Sequence, residues 1–199
     1  MDSYNSDIHH RRSIRLKNYD YSQNGSYFVT LCTLDRGSYF EEHEQLRHII
    51  ETQWRGLEER FFGVHLDEFV IMPNHFHGII ILRRGTPCGC PGFGHEQSGP
   101  LEKEGHPRGV PLQKPGIGEI VGAFKSLCVN AWLKVIKDEK IDVVGKFWQK
   151  NYYEHIIRNG DELERIQQYI VENPLKWDLD QENPSFIKAQ QPSAKPWMV

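Results

Sequence analysis

The segment from Asp67 to Leu82 constrains this chain more than any other part of it. Leu66–Met72 and His75–Leu82 are two runs of strand-forming residues separated only by Pro73-Asn74. A connection that short joins neighbouring antiparallel strands. The second strand opens with His75-Phe76-His77. Residues two apart on a strand point to the same side, so the two imidazoles share one face of a sheet, spaced to bind one metal ion. Read alone, the same pair also fits two surface histidines beside a turn.

Around this hairpin the elements fall into order. Tyr27–Thr33 reads as a strand after the turn signal Asn24-Gly25. His43 to about Arg60 reads as an amphipathic helix, with Leu46, Ile49, Ile50, Trp54 and Leu57 at helical spacing. Residues 84–118 hold nine of the 17 glycines and six of the 11 prolines and show no apolar stripe, so they form an insertion loop rather than a second domain. Helical periodicity returns from Glu119 to about Lys140. Phe147–Arg158 is a loop feeding a strand, with a helix as the alternative. Asn159-Gly160 is a turn, and Asp161–Asn173 is a helix that stops where Pro174 disfavours helical geometry at the residue before it.

Strand, helix, strand, strand, helix, strand is the ferredoxin-like plan. The expected fold is α+β, a ferredoxin-like (RRM-like) βαββαβ antiparallel sheet with two helices on one face. An additional C-terminal helix carrying Tyr169 would lie across the other face. The domain reading is a basic arm at 1–17, a single domain at 18–180 and a tail at 181–199.

With 199 residues and 38% hydrophobic content, the chain suffices for one buried core, and its mean hydropathy is −0.61. No apolar run reaches the roughly 20 residues of a membrane span and the N-terminus is polar, so no membrane partner is expected. Cys32, Cys88, Cys90 and Cys128 show no disulfide-framework spacing, which makes a reducing cytoplasm the default. Cys88-Gly-Cys90 lacks a second ligand pair for zinc. A net charge of −3 is mildly unfavourable for a nucleic-acid binder. Its distribution is uneven, however. Arg11, Arg12, Arg15 and Lys17 form a basic arm, and Lys146, Lys150 and Arg158 precede Tyr169 with one acid, Glu154, among them.

Tyr169 and Asn173 lie one helical turn apart on one face. Beside His75 and His77 they would complete a site of two imidazoles, an amide oxygen and a phenol. Such a set suits a divalent cation with positions open to phosphate, and the cation would help a phenol of pKa about 10 to attack at neutral pH. By spacing alone, a core or capping aromatic is the more economical reading of Tyr169, and a helix-end residue that of Asn173. Trp148, Tyr152 and Tyr153 are candidates for stacking on unpaired bases or for the core of the last strand. His43, His48, His65 and His155 receive no role.

Four segments together resemble the REP-associated tyrosine transposases, of the HUH single-tyrosine transposase superfamily: Ser13–Tyr21, Asp67–Leu82 with His-Phe-His, Phe147–Asn159 with Trp148, and Tyr169-Ile-Val-Glu-Asn-Pro-Leu-Lys176. With the intervening helices they cover most of residues 13–184 outside the insertion. The resemblance implies that Tyr169 attacks a DNA phosphodiester, leaving a 5′-phosphotyrosine and a free 3′-hydroxyl. It implies that His75, His77 and Asn173 bind Mg²⁺ or Mn²⁺. Related insertion-sequence enzymes have glutamine where this chain has Asn173, an asparagine that the REP-associated group shares. The implied substrate is single-stranded DNA bearing a hairpin, held by Arg11, Arg12, Arg15, Lys17, Trp148, Lys150, Tyr153 and Arg158, by a monomer or a homodimer. Two other classes stay open. One is a catalytically silent hairpin DNA- or RNA-binding module. The other is a phosphohydrolase in which water attacks and Tyr169 is structural; a histidine-triad hydrolase is disfavoured by Ile79.

Overall fold

A computed structural model describes residues 19–83, 115–179 and 183. The arm at 1–17, nearly all of the insertion, Cys88, Cys90 and nearly all of the tail lie outside the described residues. Four strands form one sheet: β1 (Gly25–Cys32), β2 (Val64–Ile71), β3 (His75–Leu82) and β4 (Tyr153–Ile157). Their order is β2-β3-β1-β4, with every neighbouring pair antiparallel. Between β1 and β2 run α1 (Tyr39–Glu42), α2 (Glu44–Arg55) and α3 (Leu57–Arg60). Between β3 and β4 runs α4 (Ile117–Glu139), and α5 (Gly160–Glu172) follows β4. This is the ferredoxin-like α+β arrangement that the order of elements predicts. Among the described residues, no helix is long and apolar enough to cross a membrane.

Strand alternation divides the side chains between two layers. Tyr27, Val29 and Leu31 of β1 and Phe76, Ile80 and Leu82 of β3 join the main core with Leu46, Ile50, Trp54, Phe124 and Trp132 of α2 and α4. Gly78 belongs to this face by register, and a Cβ there would stand 2.5 Å from Trp54 Cζ2. Glycine is what lets the indole of α2 lie against β3. Phe28, Ile79 and Ile157 face the other way and form a smaller cluster with Ile170 of α5, flanked by Val70, Ile81, Leu163 and Ile166. The Gln167 amide clamps α5 to β2, donating to both Asp67 carboxylate oxygens at 2.9 Å.

The structure redraws several element boundaries. The helix expected over 43–60 breaks at Gly56, whose N–H still closes onto Thr52; after it α3 turns Leu57 into the core. Glycine makes that change of direction inexpensive because it weakens a helix locally. The α4 helix starts at Ile117 rather than Glu119, because the Glu119 carboxylate reaches back to accept from the Gly116 N–H at 2.8 Å. The expected turn at Asn159-Gly160 is the cap of α5, where the Asn159 side chain accepts from Glu162 N at 2.8 Å. At the other end α5 stops at Glu172, yet Asn173 keeps helical dihedrals (φ −55°, ψ −45°), and Asn173–Leu179 continue as a 3₁₀ turn. Pro174 removes a backbone donor without redirecting the chain, since the tighter turn accommodates its ring.

Candidate active site

The site is built from the start of β3 upward. His75 and His77 face α5, only 1% and 5% exposed, with ring centroids 4.6 Å apart. His77 is cross-strand partner to Thr30, and its Nδ1 lies 2.8 Å from the Thr30 hydroxyl. Its ring stacks on Phe28 at 5.2 Å. Burial, and secondarily the neighbouring His75, push the His77 pKa down to about 3. The imidazole is therefore neutral at pH 7, the form that carries a lone pair for a metal or a hydrogen.

His75 is oriented from behind. Its Nδ1 lies 2.8 Å from Asn74 Oδ1, while the Asn74 amide nitrogen donates to the Arg36 carbonyl at 3.2 Å. The second bond fixes which end of the amide is oxygen. An amide oxygen only accepts, so His75 Nδ1 carries the hydrogen, and in the neutral ring Nε2 holds the lone pair. The loop that provides the Arg36 carbonyl is locally strained, with Asp35 and Arg36 both left-handed at φ 52° and 55°. The Thr33 hydroxyl and amide both bond the Asn74 carbonyl, at 2.8 and 2.9 Å. Asn74 and Thr30 were not singled out from the sequence. A signal was there, namely an amide immediately before a His-x-His, but turn chemistry alone explains an asparagine after proline.

α5 completes the arrangement. The Tyr169 hydroxyl stands 3.3 Å from His77 Nε2, and the phenol ring, 45% exposed, meets Phe28 edge-on. Asn173, one turn on, is buried, and its amide oxygen has no hydrogen-bond partner among the described residues. One turn further the Trp177 ring lies 5.9 Å from His75. The helix and its 3₁₀ extension thus touch His77 at one end and His75 at the other, with Asn173 between those contacts in the chain. Among the described residues no three His, Cys, Asp or Glu side chains cluster as a metal site. Two neutral-capable imidazoles and a buried, unsatisfied amide oxygen nevertheless fit a divalent cation, which would satisfy that oxygen.

The other residues singled out from the sequence scatter. Trp148 is 3% exposed and packs against Phe40, Phe124 and Phe147, so its indole is core and offers no face to a base. The bridge between Thr33 and Trp148 sets its backbone beside the end of β1, from where the indole enters the helix-side core. Tyr152 is partly buried against the same core. Tyr153 is 43% exposed at the sheet edge, and Lys150 and Arg158 are exposed at either end of β4. Arg11, Arg12, Arg15 and Lys17 lie outside the described residues.

No family model matches the chain. Its fold is similar to that of a REP-associated tyrosine transposase bound to a REP hairpin, at 18% identity and a TM-score of 0.49, over 81% of this chain and 73% of that one. A candidate transposase from Deinococcus radiodurans R1 is similar at 17% identity and a TM-score of 0.39, over 80% and 95% of the two chains. In sequence, an uncharacterized protein of Haemophilus influenzae (strain ATCC 51907 / DSM 11121 / KW20 / Rd) is 39% identical over 189 residues, 89% of this chain and 96% of that protein. At that identity and coverage, the chain belongs to the same protein family as the Haemophilus influenzae protein.

Proposed function

We propose that this protein is a tyrosine transposase that cleaves and rejoins single-stranded DNA at hairpin-bearing sites through a covalent 5′-phosphotyrosine. The observation that carries the reading is the approach of the Tyr169 hydroxyl to within 3.3 Å of His77 Nε2, across 92 residues of chain. The ordered motif resemblance supports the substrate class.

In this reading Tyr169 is the nucleophile, half exposed so that a phosphodiester can reach it, and its ring is steadied by Phe28. His75, His77 and Asn173 would hold Mg²⁺ or Mn²⁺. That cation, when bound, neutralises charge on the phosphate under attack. Asn74 and Thr30 bond the Nδ1 atoms of the two imidazoles, which leaves the Nε2 atoms to face the cation. Attack by the phenolic oxygen forms the new O–P bond and breaks the bond to the 3′-oxygen of the neighbouring nucleotide, with the proton lost by the phenol balanced by the one gained at the leaving 3′-hydroxyl. Because one phosphodiester replaces another, a second attack by a 3′-hydroxyl on the phosphotyrosine rejoins strands and regenerates the phenol.

The test is incubation of the full chain with labelled single-stranded hairpins from the DNA flanking its gene, with Mn²⁺, followed by denaturing electrophoresis. Wild type should yield a covalent protein–DNA adduct. Tyr169→Phe should yield none and bind the same DNA with little change. Folded wild type giving no adduct on any such hairpin would overturn the proposal. Metal-independent binding alongside that result would select the silent binding module.

A further inference from the structure

α5 packs most closely over β2, at one edge of the sheet, and its first turn meets β4 through the His155–Glu162 contact. There, between β4 and α5, is a cleft of about 380 Å³ lined by Phe28, Tyr153, His155, Glu162, Arg165 and Ile166. Its size is within the roughly 300–1,000 Å³ range of small-ligand sites. Phe28 also touches both His77 and Tyr169, so the cleft adjoins the phenol.

The lining combines three chemistries. Tyr153 offers a half-exposed ring, and Phe28 and Ile166 add apolar surface. Arg165, whose Nε donates to the Asp161 carbonyl at 3.3 Å, adds a positive charge to the lining. Glu162 is a fixed acceptor: one carboxylate oxygen lies 2.8 Å from His155 Nε2 and the other accepts from the Arg158 N–H at 2.7 Å. Those bonds hold its carboxyl below the ordinary carboxylate range, so it is ionised and donates nothing. Each oxygen retains a further lone pair for a ligand.

We infer that this cleft is a subsite for one unpaired nucleobase carrying an exocyclic amino group, stacked on Tyr153 with that amino group donating to Glu162. Adenine, cytosine and guanine have such a donor. Thymine presents a carbonyl oxygen where cytosine presents its amino group, and that oxygen faces the carboxylate unfavourably. Arg165, which also lines the cleft, would pair with the phosphate of the same nucleotide. This inference rests on the tyrosine-transposase reading.

The experiment uses the Tyr169→Phe chain, so that no substrate is consumed, and fluorescence anisotropy with hairpins from the gene's flanking DNA. Each unpaired flank position carries dA, dC, dG or dT in turn. At one position dT should weaken binding about tenfold or more relative to the best amino-bearing base. Tyr153→Ala should weaken binding by about fivefold or more and Tyr153→Phe should restore it. Glu162→Gln should remove the penalty against dT, because an amide can donate to its carbonyl. Glu162 also helps to start α5, so Tyr153→Ala, at an exposed edge, provides the independent arm if Glu162→Gln misfolds. Binding indifferent to the base at every position, or unchanged by Tyr153→Ala, while wild type still forms its adduct, overturns the cleft assignment alone. Hairpins that wild type neither binds nor attacks overturn both readings.

Discussion

Individual side chains in this protein do work that their neighbours decide. Asn74 is a turn residue by sequence and a positioning residue by structure, because its oxygen meets His75 while its nitrogen is held by the Arg36 carbonyl. Asn74→Ala should weaken Mn²⁺ binding by about 10- to 100-fold, as outer-shell partners of metal-bound histidines do, read by titration of free Mn²⁺ in electron paramagnetic resonance. An affinity equal to wild type would show that His75 needs no such support. Trp148 illustrates the opposite case, an aromatic with a plausible role in DNA contact that is core instead. Trp148→Ala should cost about 3–5 kcal/mol in denaturant unfolding. An effect below about 1 kcal/mol would return the indole to the surface. The two histidines were legible because strand alternation is a property of the backbone itself. The fate of Trp148 was not, because an aromatic beside a strand reads identically whichever side of the sheet it enters.

Among the elements, β3 carries opposite duties on its two faces. Its odd positions present the imidazoles to α5, while Phe76, Gly78 and Ile80 seat it on the helices. Gly78→Ala should destabilise the fold by about 1–3 kcal/mol through overpacking against Trp54, although it removes no contact of the site; an unchanged thermal midpoint would contradict this. The helix bearing Tyr169 depends on its start as much as on its packing. Asn159→Ala deletes the cap on Glu162 N and should cost about 1 kcal/mol, measurable in the same melts. Element identity was readable from periodicity and turn residues. The break at Gly56 and the 3₁₀ run after Glu172 were not, since each follows from where the next residues must pack.

Across the whole molecule the two layers are unequal. The face under α2 and α4 holds most of the large buried side chains, whereas α5 is retained by a small cluster and the Gln167–Asp67 clamp. The helix that brings the phenol is therefore expected to open locally before the rest of the fold. Hydrogen exchange should show α5 amides exchanging well ahead of those of β1 and β3, and equal protection would refute it. Ile170→Ala, which empties the centre of the small cluster, should raise α5 exchange further and reduce adduct formation while β1 and β3 stay protected. Under the proposed function, such mobility would let a DNA strand enter beneath Tyr169.

Short-range backbone geometry wrote the strands, the helices, the shared face of His75 and His77, and the one-turn spacing of Tyr169 and Asn173 directly into the order of residues. Only the tertiary structure decided that α5 folds back over the open side of the sheet, that Asn74 turns its oxygen toward His75, and that a cleft remains beside β4. Those outcomes depend on which apolar faces cover one another across long stretches of chain, a competition for burial that no local pattern records.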